Sequence, residues 1–160
     1  MYAFDAIYDQ EGAAHAERAF YVRSVTELRR WSTFGPPVFI AALVALVHAL
    51  GVSAWITASF VAFFALSVAG PVFFYFARSR EAKRLARKYP VRQVALTPSA
   101  VEVTVGGQKA VIAWSQISHV WSAGDYLLLV LGKFVAVAIP RASLPSGANE
   151  FILESTKHAT

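Results

Sequence analysis

The chain has 160 residues, 56% of them apolar, and a formal net charge of +5. That length suits one small folded domain with something added, and the apolar share points to a membrane element as the addition. The basic balance does not argue for nucleic acid: residues 1–33 sum to −1, 34–77 to 0, 78–92 to +7 − 1 = +6 and 93–160 to 0, so the excess sits in one short segment. With no cysteine in the chain, disulfide and thiolate chemistry are excluded.

At the N-terminus, "YAFDAIYD" alternates Tyr2, Phe4, Ala6 and Tyr8 against Asp5 and Asp9, the pattern of a half-buried strand. Asp9 then caps a helix over about 10–31, since Gln10, Glu11 and the following alanines suit a first turn. Phe20, Val25, Leu28 and Trp31 give that helix an apolar side, which either lies along a membrane surface or packs on the protein. The opening is acidic and alternating, unlike a cleavable signal peptide.

From Phe34 to Ala77 no Asp, Glu, Lys or Arg occurs, and His48 is the one histidine. One bilayer-spanning helix needs about 20 apolar residues, so the block predicts a hairpin of two spans, about 34–52 and 55–77. Gly51 supplies the turn, Ser53 or Ala54 starts the second helix, and Trp55 sits where an aromatic favours the interface. Arg18, Arg23, Arg29 and Arg30 precede the hairpin, a run of Lys and Arg follows it, and its tip has none, which puts both termini in the cytoplasm. Ala41, Ala45 and Ala49, and Ala58, Ala62, Ala65 and Ala69, form small-residue stripes suited to close helix packing, within one hairpin or between copies. Gly70-Pro71 predicts a kink in the second helix.

The segment 78–91 is basic and juxtamembrane. Arg78, Arg80, Lys83, Arg84, Arg87 and Lys88 are the candidate contacts for anionic lipid head groups, with a plain topology signal as the competing reading. Past Tyr89-Pro90 the period becomes alternating. "VRQVALT", "AVEVTVG", "KAVIAW", "YLLLVL" and "FVAVAI" predict five meandering antiparallel strands, broken at Pro98-Ser99, Gly106-Gly107, Ser122 to Asp125 and Gly132-Lys133. A short helix from Ser146, with Ala148, Phe151 and Ile152 on its apolar side, closes a small sheet or partial barrel over 92–160. Because "YLLLVL" and "FVAVAI" are apolar on both faces, the second face needs a cover, expected from the closing helix and the N-terminal strand.

With "VALTPSAVEV", "IAWSQISHVW", "YLLLVL" and "AIPRASL" in that order, the chain resembles the bacterial YcxB-like family. The resemblance rests on Trp114, Ser115 and Ile117 of the W-S-x-I stretch and on Ile139, Pro140 and Arg141 of the I-P-R stretch. It implies a multi-pass protein of the bacterial inner membrane with a pleckstrin-homology-like (PH-like) cytoplasmic domain and no assigned reaction. The fold class expected is therefore an α+β membrane protein, a two-helix hairpin plus a small antiparallel β domain. By residue reading, Trp114 and Ile117 fill the core end and Pro140 ends the last strand. Arg141 is a solvated strand end, with a lipid phosphate or a partner as the alternative.

Nothing in the sequence calls for catalysis, a cofactor or a metal. His15, His48, His119 and His158 lie in different segments, none beside a carboxylate at ligand spacing. A PH-type lipid site wants clustered Lys and Arg between the first two strands, and Thr97-Pro98-Ser99-Ala100, read as that loop, has none. His48 is ionisable within a span but near its end, which favours a structural role. The expected role is a non-enzymatic membrane-anchored binding or scaffold module, with the bilayer, a protein partner of unknown identity and copies of itself as partners. The alternative is a component of a small oligomeric transporter or channel.

Overall fold

The first strand and the strand after Pro90 are neighbours, although some eighty residues of chain lie between them. In the computed structural model, which describes residues 1–28, 30–51, 53–132 and 135–157, β1 (Tyr2–Ile7) pairs antiparallel with β2 (Val91–Leu96), Tyr2 opposite Leu96 and Ile7 opposite Val91. The Tyr8 amide donates to the Pro90 carbonyl at 2.7 Å, so residues 8–90 form one long excursion from a β-hairpin. Expectations resting on Arg29, Val52, Lys133, Phe134 and His158, and on the side chains of Arg30 and Trp31, lie outside the described residues.

β3 (Ala100–Val105) and β4 (Gln108–Ala113) complete a four-stranded sheet in the order β1-β2-β3-β4. Gly106 and Gly107, both at positive φ, make the two-residue turn between them. A second sheet joins β5 (His119–Ala123), β6 (Tyr126–Val130) and β7 (Ala136–Pro140) in sequence order. The five strands expected after Pro90 are thus six, and with the expected N-terminal strand they make two sheets of four and three. β5 was hidden because its alternation, with Trp121 and Ala123 buried and His119 and Ser122 exposed, starts directly after the W-S-x-I turn. The hairpin bend is Gly124-Asp125, with Gly124 at φ +56°, so Ser122 and Ala123 belong to the strand.

α1 (Gln10–Arg23) is capped as its sequence predicts: Asp9 Oδ1 accepts from the Gly12 amide at 2.6 Å. It stops at Arg23, where a π-helical turn (Ser24–Leu28) follows in place of the helix expected to continue to 31. Ala13, Ala14, Ala16 and Phe20 are its buried side. Phe20 packs on Trp121 with ring centres 6.1 Å apart, and Asp9 accepts from the Tyr126 hydroxyl at 3.2 Å. α1 therefore joins the expected cover of the second sheet, its alanines allowing close approach, while the end of β1 meets β7 through Tyr8, which donates to the Ala138 carbonyl. α4 (Ala148–Lys157) buries Ala148 and Ile152, and its Phe151 meets Tyr2 of β1 edge-on at 5.5 Å.

α2 (Arg30–Ala49) begins ahead of the span expected at about 34–52 and runs through Pro36 and Pro37. It ends before Gly51, which takes the left-handed φ of +66° expected of it. α3 (Ala54–Lys88) is a single helix of 35 residues, continuing through the basic segment. It is long and apolar enough to cross a bilayer, whereas the apolar stretch Phe34–Ala49 is shorter than the usual span. The two alanine stripes are exposed throughout. The half-buried positions are instead Leu43, Val44 and Val47 in α2 and Thr57, Phe60, Phe64 and Ser67 in α3, at helical spacing.

The chain divides into two compact units, Met1–Val22 with Arg78–Thr160, and Arg23–Ala77. The N-terminal segment 1–33, the basic segment 78–91 and the β domain 92–160, separate in the sequence reading, are thus largely one body. Its centre is built from Val94, Leu96, Val101, Leu129, Ile139 and Ile152, each essentially inaccessible.

Candidate functional site

The basic segment is the end of α3, and its charges divide by helix face. Ser79 and Ala86 are buried, and Ser79 Oγ accepts from Arg18 Nε of α1 at 2.9 Å. On the same side Arg78 pairs with Glu17 and Lys83 with Glu11, so two of the six expected lipid contacts are spent on α1 carboxylates. Arg80, Arg84 and Arg87 are exposed at i, i+4, i+7 spacing, with Lys88 beside them. Arg84 reaches Glu81 at 3.7 Å, a loose exposed pair that leaves the stripe cationic.

The family-motif residues serve the fold. Trp114 is 3% exposed, donates from Nε1 to the Thr97 carbonyl at 2.9 Å, and lies edge-on to Phe151. Ile117 and Ile139 are buried, Pro140 ends β7, and Ser115 is exposed. The Arg141 amide donates to the Asp125 carbonyl at 2.7 Å and its guanidinium to Ser122 Oγ. Arg141 is exposed yet tied to the β5–β6 hairpin. His119 stands beside Trp121, ring centres 5.8 Å apart, as a strand-end packing residue.

Thr97-Pro98-Ser99-Ala100 joins β2 to β3, not the first strand to the second. Thr97 closes it as a tight turn, its amide donating to the Ala100 carbonyl at 2.9 Å. The connection between the first two strands is the 8–90 excursion, basic stripe included.

A cleft of about 870 Å³ opens between the first sheet, β7, α1 and the last turns of α3. Its walls are mainly small or apolar, with Ala82, Ala110, Ala136 and Ala138 leaving space between Val103, Ile112 and Leu85. Arg92 sits in this wall on the inward-facing series Arg92, Val94, Leu96 of β2, half-buried, its guanidinium 3.9 Å above the Tyr8 ring. Tyr8 in turn donates to the Ala138 carbonyl at 2.6 Å, tying the end of β1 to β7. Burial raises the Tyr8 hydroxyl pKa, and the charge of Arg92 opposes that rise. Sequence reasoning counted Arg92 only as net charge; an arginine on the inward side of an alternating strand was the available signal.

Beside the cleft, the Gly12 amide holds the Asp9 carboxyl below its ordinary range. Burial, aided by that carboxylate, pushes the Tyr126 hydroxyl up to about 12. A raised folded-state pKa contributes stability that is complete below the unfolded value of about 10 and is lost as pH climbs toward 12. Alkaline titration followed by circular dichroism should therefore show destabilisation in that window. Tyr126→Phe should flatten it, leaving a smaller slope from Tyr8.

Two antiparallel sheets with packed helices, one of them long and apolar, define a mixed α+β protein. Residues 96–154 match the family described as YcxB-like protein. Both the W-S-x-I and the I-P-R stretches fall inside it. Comparison with curated proteins and with solved structures finds no match.

Proposed function

We propose that this chain is a non-enzymatic, membrane-anchored binding module of the bacterial inner membrane. The hairpin 34–77 crosses the bilayer twice, both termini lie in the cytoplasm, and a PH-like β domain is held there to dock a protein partner or a second copy. One observation carries the reading: the apolar window of α3 has no buried share, and Trp55, Phe63, Leu66, Phe73 and Phe74 are each more than 60% exposed. Water does not tolerate so large an apolar surface, whereas a bilayer is its natural solvent. The shorter Phe34–Ala49 segment is accommodated by local thinning and by its polar flanks.

Two antiparallel sheets closed by α4 support the PH-like fold that the family resemblance implies. The register also changes the argument about lipid. The connection between the first two strands contains Arg80, Arg84, Arg87 and Lys88, which supports anionic head groups as partners of that stripe at about 1 kcal/mol per charge. Transport is disfavoured because a pore needs a polar lining and residues 34–77 offer little beyond His48 and scattered Ser and Thr.

Alkaline carbonate extraction of membranes holding the full chain tests the anchor. The protein should stay in the pellet, and vesicles containing it should pass ions at the background rate. Release into the supernatant would overturn the anchor; ion flux proportional to protein would favour the transport reading.

A further inference from the structure

We propose that the cleft beside Arg92 binds a single-chain amphiphile with an anionic head, the guanidinium taking the head and the alanine-lined walls taking the chain. The inference does not depend on the membrane topology above, since every residue lining the cleft belongs to the β-domain unit.

Three observations converge. The volume, about 870 Å³, lies within the range of sites that hold small organic ligands, about 300–1,000 Å³. The walls have the chemistry of a chain site, because half-buried Ala82, Ala136 and Ala138 present small apolar side chains to the space beside Val103 and Ile112. The charges select the head group. Among the described lining residues Arg78 is paired with Glu17 and Lys109 with Glu102 at 2.8 Å, while Glu81 makes only its loose, exposed contact with Arg84. Arg92 has no carboxylate partner among the described residues; it lies over Tyr8, and Nε makes only a long contact of 3.5 Å to the Tyr89 carbonyl. A half-buried cation without a counter-charge, at the side of an apolar space, favours a carboxylate or phosphate there. Its place over the Tyr8 ring holds the guanidinium at the cleft, so less order is lost when an anion arrives.

The test uses the full chain in phosphatidylcholine nanodiscs with a diazirine-bearing palmitate as probe, and peptide mapping after photolysis. Cross-links are expected in the peptides holding residues 103–112 and 136–138. Arg92→Gln should weaken labelling about tenfold, the worth of one charge-assisted hydrogen bond, and should not affect the corresponding alcohol-headed probe. Ala110→Phe, which fills the space and leaves Arg92 in place, should weaken both probes; it decides the matter alone if Arg92→Gln lowers the thermal transition. Competition by unlabelled palmitate against lysophosphatidate tells a carboxylate head from a phosphate. Cross-links confined to residues 34–77, labelling unchanged in both variants, or equal labelling by acid and alcohol would each overturn the proposal.

Discussion

Trp114→Ala should destabilise the β domain by about 3–5 kcal/mol, as expected for removing a large buried aromatic. Trp114 stands in the short turn that carries the chain from β4 towards β5, so its loss acts where the two sheets are joined. Its ring fills the space against Phe151 of α4, and its Nε1 satisfies the Thr97 carbonyl of the β2–β3 turn. Truncation opens a cavity and takes away that donor together. Trp114→Phe keeps most of the packing and loses the hydrogen bond, for which about 1 kcal/mol is expected. Ser115→Ala, one residue on and exposed, should stay within about 0.5 kcal/mol. Urea titration of the detergent-solubilised full chain, followed by circular dichroism, ranks the three. An effect of Ser115→Ala equal to that of Trp114→Ala would contradict a purely structural role for the motif.

Gly12→Ala carries the second large effect, with its sign reversed from the usual one. In an exposed helix interior the change stabilises by about 1 kcal/mol. Here a Cβ would collide with Asp9 Oδ2 and come within 2.7 Å of Tyr126 Cε2. Either the Asp9 cap is displaced or the tyrosine ring is pushed out of the second sheet. Overpacking costs about 1–3 kcal/mol and a lost cap about 1, so a loss of about 1–3 kcal/mol is expected. The same titration checks it, and a rise in stability would show that α1 does not sit against Tyr126. Gly12→Ala in a Tyr126→Leu background should cost less than in the wild-type chain, because one of the two collisions is then gone.

Local features were legible in the sequence because their causes are local. The alternation of Tyr2, Phe4 and Ala6, the Asp9 cap, the Gly51 and Gly106-Gly107 turns and the apolar side of α4 each follow from a few adjacent residues. Pairing of β1 with β2 across the 8–90 excursion was not legible, since strand alternation gives a face and no partner. The same blindness put the first inter-strand loop at Thr97–Ala100 and hid the relation of the basic stripe to it. β5 was lost at a motif boundary. The alanine stripes of α2 and α3 lie exposed, and the half-buried faces are others, those of Leu43 in α2 and of Phe60 and Phe64 with Thr57 and Ser67 in α3. Of the candidate site, the basic residues were legible one by one, whereas their division by helix face needed α1 in place. The cleft is a property of two sheets and two helices together, with Arg92 its one local sign.

The claim that residues 34–77 anchor a cytoplasmic β domain is tested most directly by the chain's lack of cysteine. Ser53→Cys and Ser146→Cys, introduced singly, place one thiol at the hairpin tip and one in the β domain, each exposed to a membrane-impermeant thiol reagent applied to intact cells. Labelling at position 53 with protection at 146 until the cells are opened is the expected result. Labelling at 146 with protection at 53 would put the β domain outside and contradict the account.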